Sequence, residues 1–210
     1  MKTILLDKNW TFIKENHSEV ISLPHTWNAL DGQDGGNDYY RGTCTYTCMF
    51  PQPKLPEGGR AILEFEGAAM TANVSLNNQA LAEHKGGYSA FRVDITNALL
   101  EQNLLVVTVD NSRNDTVYPQ QADFTFYGGI YRAVKLHILP AEHFVLAANG
   151  APALKVTPIV TNLAAKAVEV TVEAAVENAL KVHFELNGQT ISAPAENGTA
   201  KAVFKLEKAH

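Results

Sequence analysis

Residues 104–109 read Leu-Leu-Val-Val-Thr-Val, a run dominated by β-branched residues. Apolar side chains fall on both faces of this run, as they do in a strand at the centre of a β-sandwich. In the segment Thr43–Phe50 the even-numbered residues are apolar and threonines dominate the other face, which indicates a half-buried strand. Cys44 and Cys48 would then stand ~13 Å apart on one face. We predict two buried thiols and no disulfide between them.

The same patterns predict strands along most of the chain. Before Pro140 the predicted strands are Ala61–Glu66, Thr71–Leu76, Ala90–Asp94, Leu104–Asp110 and Ala133–Leu139. After it they are Leu154–Ile159, Ala167–Val176, Lys181–Leu186, Gln189–Ala193 and Ala200–Leu206. Only residues 94–101 look helical, and Asp94 or Thr96 would cap that short turn. The sequence therefore predicts an all-β protein.

Composition changes near Pro140, which indicates two domains. Both cysteines, every arginine and most aromatic residues precede this proline, and the later part is rich in Ala, Val, Lys and Glu. Asn187-Gly188 and Asn197-Gly198 are hairpin signals in that later part. We predict a β-sandwich at residues 1–142 and a smaller, immunoglobulin-like β-sandwich at residues 143–210. Because a complete immunoglobulin-like sandwich has ~100 residues, the second is expected to be either a reduced sandwich or one cut by the end of the chain.

Charge and motifs exclude several classes of function. The net charge is −5, and no basic run suggests a nucleic-acid partner. The first eight residues lack a signal-peptide core and no apolar run could span a bilayer, so we expect a soluble, cytoplasmic protein without a membrane partner. The seven histidines are scattered without the spacing of metal ligands. Neither a nucleophile elbow nor a phosphate or dinucleotide loop occurs. The chain alone is therefore not expected to be a complete enzyme, and no metal or cofactor is predicted for it.

The segment Asp123–Arg132 concentrates unusual chemistry in ten residues. It combines one carboxylate, four aromatic residues, two adjacent glycines and one arginine. Aromatic faces cover the C–H surfaces of a sugar, a carboxylate accepts hydrogen bonds from its hydroxyls, and glycines allow the backbone to approach closely. The alternative interpretation is a packed β-bulge whose aromatic residues are buried.

A second polar segment precedes the strand at Thr43. Asp31, Asp34 and Asp38 with three glycines offer oxygen ligands for a hard cation, although the spacing is not that of an EF-hand. A solvated, turn-rich loop is the alternative. Tyr39 and Tyr40 follow this loop and are candidates for the wall of a pocket.

These residues carry a resemblance to glycoside hydrolase family 2, and within it to bacterial β-galactosidases. The matching motifs are Leu-Pro-His-Thr-Trp-Asn at 23–28, Tyr-Tyr-Arg-Gly at 39–42, Asn-Val-Ser-Leu-Asn at 73–77, His-Lys-Gly-Gly-Tyr-Ser-Ala-Phe at 84–91, Asp-Ile-Thr at 94–96, and Asp-Phe-x-x-x-Gly-Gly-Ile-Tyr-Arg-x-Val at 123–134. They cover roughly residues 5–145, and residues 150–210 match more loosely.

The resemblance implies a jelly-roll-like, galactose-binding-type sandwich followed by an immunoglobulin-like sandwich, both N-terminal to a (β/α)₈ barrel that carries two catalytic glutamates. The resemblance implies that the chain is the non-catalytic N-terminal portion of a retaining β-glycosidase, most closely a β-galactosidase. The parent enzyme would hydrolyse O-glycosyl bonds of β-linked saccharides. Asp123 matches the aspartate that binds glycone hydroxyls, and Tyr39, Tyr40 and Tyr127 are expected to form the pocket wall. Arg132 is expected to hold the loop.

The same resemblance implies partners and alternatives. The missing C-terminal barrel is the expected partner domain, the parent is expected to be a homo-oligomer, and a cation near its active site is compatible with the family. No cofactor is expected in this chain. The alternative is a stand-alone carbohydrate-binding module without a catalytic partner. Galactose, glucuronic acid and mannose all remain open as the glycone.

Overall fold

The computed structural model describes residues 1–31, 39–119 and 124–207. Within these ranges the chain forms sixteen antiparallel β-strands and one 3₁₀ turn at Thr96–Ala98. The predicted all-β class is therefore confirmed. No helix in the described ranges is long and apolar enough to cross a membrane.

The described residues fall into two compact units. The first comprises those of Met1–Pro56, Arg60–Leu139 and Ala148–Gly150. The second comprises Glu57–Gly59, Pro140–Ala147 and the residues from Ala151 onward. Each unit contains its own hydrophobic core.

Ten strands build the first unit. They are β1 (Lys2–Leu5), β2 (Trp10–Lys14), β3 (His17–Ile21), β4 (Thr43–Pro51), β5 (Arg60–Phe65), β6 (Thr71–Leu76), β7 (Gln79–Lys85), β8 (Phe91–Asp94), β9 (Gln102–Asp110) and β10 (Val134–Leu139). A six-stranded sheet has the order β3-β2-β4-β9-β6-β7, and a four-stranded sheet has the order β1-β10-β5-β8. Strands β1, β2, β3 and β7 were not among those that the sequence predicts.

The core of the first unit is built from large side chains of both sheets, among them the fully buried Trp10, Tyr46 and Phe65. β9 is central, between β4 and β6, as predicted. Its odd-numbered residues are buried, and Leu104 on its other face is 39% exposed. The continuous apolar run therefore marks the centre of a sheet that is covered fully on only one face.

The alternation in β4 places both thiols in this core. Cys44 and Cys48 are buried and free, as predicted. Burial raises the pKa of the Cys44 thiol to about 12 and that of Cys48 to about 11. Both are therefore uncharged structural residues at neutral pH.

Six strands build the second unit. They are β11 (His143–Phe144), β12 (Leu154–Asn162), β13 (Ala167–Glu177), β14 (Lys181–Leu186), β15 (Gln189–Glu196) and β16 (Thr199–Leu206). The order is β11-β13-β16-β15-β14, and β12 pairs with β13. Asn187-Gly188 and Asn197-Gly198 both have positive φ at the two turn positions. These are the tight hairpins that the sequence predicts.

Residues 94–101 form less helix than the sequence indicates. The Asp94 carboxylate accepts a hydrogen bond from the Thr96 N–H at 2.9 Å, and a single 3₁₀ turn follows. Asn103 ends the segment, because its Oδ1 accepts the N–H of Leu100 at 2.8 Å. Side chains thus satisfy the backbone groups that a longer helix would have paired.

Candidate functional site

The described part of the glycine-rich segment, residues 124–132, lies between β9 and β10 and forms no regular strand. It makes one isolated bridge, between Gly129 and Ala69. The Ala69 N–H donates to the Gly129 carbonyl at 3.0 Å, and the Gly129 N–H donates back to the Ala69 carbonyl at 3.3 Å. The segment is therefore fixed by single contacts rather than by a ladder.

Two fully buried asparagines clamp this backbone. Asn28 Nδ2 and Asn111 Nδ2 both donate to the carbonyl of Phe126, at 3.1 Å and 2.8 Å. The Gly128 N–H in turn donates to Asn28 Oδ1 at 2.9 Å. Buried amides with satisfied hydrogen bonds hold a loop in one conformation, because breaking any of them leaves an unpaired polar group.

The two adjacent glycines are required by close packing. A Cβ on Gly128 would lie 2.1 Å from Cζ2 of Trp27. Gly129 has φ +137°, and a Cβ there would lie 2.4 Å from the carbonyl oxygen of His25. No other residue fits either position without moving the segment that contains His25 and Trp27.

The motif at 23–28 thus packs directly on the motif at 123–134. The His25 N–H donates to the Ile130 carbonyl at 2.9 Å, and the Trp27 N–H donates to Gly128 at 3.2 Å. His25 Nδ1 and Tyr46 Oη are hydrogen-bonded at 2.9 Å. Burial lowers the pKa of His25 and raises that of Tyr46, so both side chains are neutral at pH 7.

The third motif, at 39–42, joins the same assembly through Arg41. Its Nε donates to the carbonyl of Asn111 at 2.8 Å, and its guanidinium carbon lies 4.4 Å from the centre of the Phe126 ring. The Gly42 N–H donates to Asn111 Oδ1 at 2.9 Å. Three segments distant in sequence therefore meet at Phe126, because Asn28 and Asn111 bond to its carbonyl and Arg41 covers its ring.

An open cavity of about 320 Å³ lies on this assembly. Its larger lining side chains are Met70, Tyr88, Phe124, Phe126, Tyr127 and Tyr131. Phe126 and Met70 are buried, whereas Tyr88, Phe124 and Tyr127 are about half exposed. The cavity therefore has a packed apolar floor and an accessible aromatic rim.

Hydrogen bonds to backbone carbonyls hold the side of this cavity. Tyr131 Oη donates to the carbonyl of Gly87 at 2.5 Å. The Arg132 guanidinium donates to the carbonyls of Glu66 and Tyr88, at 3.4 Å and 3.3 Å. Arg132 therefore connects neighbouring loops through their backbone.

The predicted site residues do not all lie at the same place in the structure. Tyr127 lines the cavity, and Tyr39 packs against the buried cluster that contains its floor. Tyr40 packs against the main core instead, with Lys14 Nζ 4.2 Å from the centre of its ring. Burial raises the pKa of Tyr40. Asp123 lies outside the described residues.

No group of three or more potential metal ligands occurs among the described residues. Asp31 Oδ2 accepts the backbone N–H of Tyr40 at 3.0 Å, which is the role of a loop carboxylate. Asp34 and Asp38, the other carboxylates of the predicted cation loop, lie outside the described residues.

Sequence reasoning did not find several residues of this site. Met70 and Tyr88 reach the cavity because β6 and β7 bring their flanking loops to residues 124–131, which is a long-range consequence of the topology. Asn28 is the last residue of the motif at 23–28, and nothing in the sequence around a single asparagine indicates that it is buried. Asn111 directly follows the central strand β9, and a polar residue at the end of a strand is the one feature of the sequence that could have indicated a site residue there.

Known proteins resemble this chain in sequence and fold. Residues 2–140 match the family described as glycosyl hydrolases family 2, sugar binding domain. A β-glucuronidase of Bacteroides fragilis is 39% identical over 142 residues, which cover 64% of this chain and 20% of that protein. A β-galactosidase of Thermoanaerobacter pseudethanolicus is 34% identical over 134 residues, which cover 61% of this chain and 18% of that protein.

A solved structure extends the likeness to the second unit. The FMN-binding β-glucuronidase from Facaelibacterium prausnitzii L2-6 is 35% identical, with a TM-score of 0.87 over 100% of this chain and 34% of the solved one. The chain spans about a fifth of the length of the curated relatives it matches. With its sugar binding domain at residues 2–140, the chain belongs to glycosyl hydrolase family 2.

Proposed function

We propose that the chain is the non-catalytic N-terminal portion of a retaining β-glycosidase that hydrolyses O-glycosyl bonds of β-linked saccharides. The observation that carries this proposal is the match of residues 2–140 to the family's sugar binding domain. The meeting of the motifs at 23–28, 39–42 and 123–134 around Phe126 supports it, because such a preorganised surface is what ligand positioning needs.

In this proposal the segment around Phe124 forms the rim of the active site. Asp123 directly precedes the rim residue Phe124 in the sequence, and its carboxylate accepts hydrogen bonds from glycone hydroxyls. Tyr127 forms part of the wall. Tyr39 packs against the buried cluster that contains the cavity floor, and Tyr40 packs against the main core.

The chemistry itself is assigned to the partner domain. A retaining glycosidase needs two carboxyl groups ~5–5.5 Å apart on either side of the glycosidic bond. We propose that both belong to a C-terminal barrel, and that the chain contributes binding and orientation. This division would place the transition-state chemistry outside the chain and substrate alignment partly within it.

The glycone is proposed from two sources. The motif resemblance favours galactose. One β-glucuronidase relative is 39% identical, against 34% for a β-galactosidase, and this favours glucuronic acid. Since a glucuronate carries a charge that galactose lacks, a pair of matched substrates separates the two.

The test is a hydrolysis assay with the natural-length protein that contains this chain. The substrates are p-nitrophenyl β-D-galactopyranoside, β-D-glucuronide and β-D-mannopyranoside, with the α-galactoside as control. We expect the protein to hydrolyse one of the β-glycosides with retention of the anomeric configuration, which is detected by NMR. Absence of turnover on every β-glycoside, or inversion, would contradict the proposal.

The second candidate, a stand-alone carbohydrate-binding module, is supported by the exposed aromatic rim of the cavity. It predicts saccharide binding without hydrolysis by the natural-length protein. The same assay therefore separates the two functions when it is combined with a glycan-binding measurement.

A further inference from the structure

The cavity of about 320 Å³ has a chemistry that glycone binding does not explain. Five of its lining residues are aromatic and none is charged. They are Tyr88, Phe124, Phe126, Tyr127 and Tyr131. Hydroxyl-rich glycones are recognised by converging polar groups, and ligand pockets place such groups among apolar walls. Among the described residues, the polar side chains of this lining are limited to Thr125 and the three tyrosines, and the remaining lining residues are apolar.

The floor of the cavity is rigid. Phe126 is buried, its carbonyl receives two asparagine amides, and its ring is covered by the Arg41 guanidinium. Met70 beside it is also buried, and its N–H donates to the carbonyl of Asp110 at 2.8 Å. A ligand ring on this floor would lose little free energy to reorganisation of the protein.

The rim consists of three aromatic side chains that the fold leaves accessible. Tyr88 is 58% exposed, Phe124 51% and Tyr127 47%. The Phe124 ring lies 5.6 Å from that of Phe126, centre to centre. Exposed aromatic residues around a concave apolar floor are typical of binding surfaces, since isolated exposed side chains would not share one cavity.

Size and polarity indicate the kind of occupant. An apolar cavity of ~150 Å³ is enough for benzene, so this one accommodates an aromatic ring with substituents. A pyranose would bury hydroxyls against the same walls, which is unfavourable unless each finds a partner. The hydroxyl of Tyr131 is already bonded to Gly87. The cavity therefore suits a planar apolar group better than a second sugar.

We propose that this cavity is an aglycone subsite, which binds the aromatic group of a β-glycoside while the glycone is held outside it. The proposal rests on the proposed glycosidase function and adds a substrate class to it. Tyr127 and Phe124 stack on or flank the aglycone ring, and Phe126 forms its base. The subsite makes the protein prefer aryl glycosides to alkyl glycosides.

The experiment is an NMR titration of the ¹⁵N-labelled 210-residue chain with phenyl and methyl β-D-galactopyranosides, repeated with the corresponding glucuronides. We expect the phenyl glycoside to bind about tenfold more tightly, which is the smaller end of what burial of one phenyl ring contributes. Its amide shifts should centre on Tyr88 and residues 124–127. Tyr127→Ala and Phe124→Ala should each remove most of this preference, and Tyr127→Phe should keep it.

Phe144→Ala is the matched control, because Phe144 is 49% exposed and belongs to the second unit. Equal affinity for phenyl and methyl glycosides would overturn the proposal, as would phenyl-induced shifts away from the cavity. Either failure leaves the glycosidase function intact. That function fails separately, when the unmodified natural-length protein hydrolyses no β-glycoside.

Discussion

The two units hold their turns by opposite means. In the second unit the hairpins close locally, with Asn187-Gly188 and Asn197-Gly198 supplying the φ values that each turn needs. In the first unit the segment at 124–132 is held from far away in the sequence, by Asn28 and by Asn111. Local closure needs nothing beyond a dipeptide, whereas the candidate site needs a folded scaffold around it. A site fixed in this way is rigid but sensitive to single substitutions.

The largest effect is expected at Gly128. In Gly128→Ala the new Cβ collides with the Trp27 ring, which is itself packed, so the first unit should lose about 3 kcal/mol of stability. Urea unfolding followed by tryptophan fluorescence reports this unit, because Trp10 and Trp27 are the two tryptophans of the chain.

The control is Gly188→Ala in the second unit, where no heavy atom lies within 4 Å of the new Cβ. Only the left-handed φ of +77° opposes this change, at about 1 kcal/mol. A loss at Gly128 as small as that at Gly188, both measured by circular dichroism in urea, would break the comparison between the units.

The next effect is expected at Asn111. Asn111→Ala leaves the Gly42 N–H without its partner and the Phe126 carbonyl with one donor fewer, so we expect a loss of about 2–3 kcal/mol. In the second unit, Asn162 Oδ1 accepts the N–H of Ala165 at an exposed turn. Asn162→Ala should cost less than about 1 kcal/mol. Equal losses in the two variants would show that burial of the clamp is unimportant.

Acid should act on the first unit through His25. Burial lowers its pKa in the folded state, and the opposing charge of Glu19 does not restore it to 6.5. As pH falls below about 6.5 the unfolded state binds a proton first, so stability is full above that pH and decreases toward the folded pKa. His84, whose pKa burial also lowers, contributes in the same direction.

We expect the fluorescence-detected melting temperature of the first unit to fall between pH 7 and pH 5. In His25→Gln this dependence should be weaker, and in the double variant with His84→Gln weaker still. A dependence that is unchanged by both substitutions would assign the acid sensitivity to other groups.

The smallest effect on stability is expected at the rim. Tyr127 is half exposed, so Tyr127→Ala should change the free energy of unfolding by less than about 1 kcal/mol. Its effect on aryl glycoside binding should nevertheless be large. A variant that unfolds the first unit would contradict the distinction between a rigid frame and a separable rim.

Sequence patterns predict the strands and hairpins because these depend on neighbours. The alternation in Thr43–Phe50 and the dipeptide Asn197-Gly198 each determine their own structure, and the fold class follows from such segments. The N-terminal strands were missed because their alternation is short and interrupted by polar residues. Helical character at residues 94–101 was overestimated, since Asp94 and Asn103 bond to the backbone there.

The candidate site could be predicted only in part. Its glycines and aromatics stood out in the segment Asp123–Arg132, and Tyr127 of that segment lines the cavity. The clamp by Asn28 and Asn111 and the contribution of Tyr88 depend on which loops the two sheets bring together. No local pattern records that arrangement.

The most direct measurement of the central claim is the kinetics of Asp123→Ala in the natural-length protein. The account predicts a loss of at least about 100-fold in kcat/KM on the preferred β-glycoside, as expected for a removed charge-assisted contact to the glycone, with an unchanged melting temperature. The control is Asp115→Ala, whose carboxylate pairs with Arg113 at the surface. Normal kinetics for Asp123→Ala would contradict the claim that this segment positions the sugar.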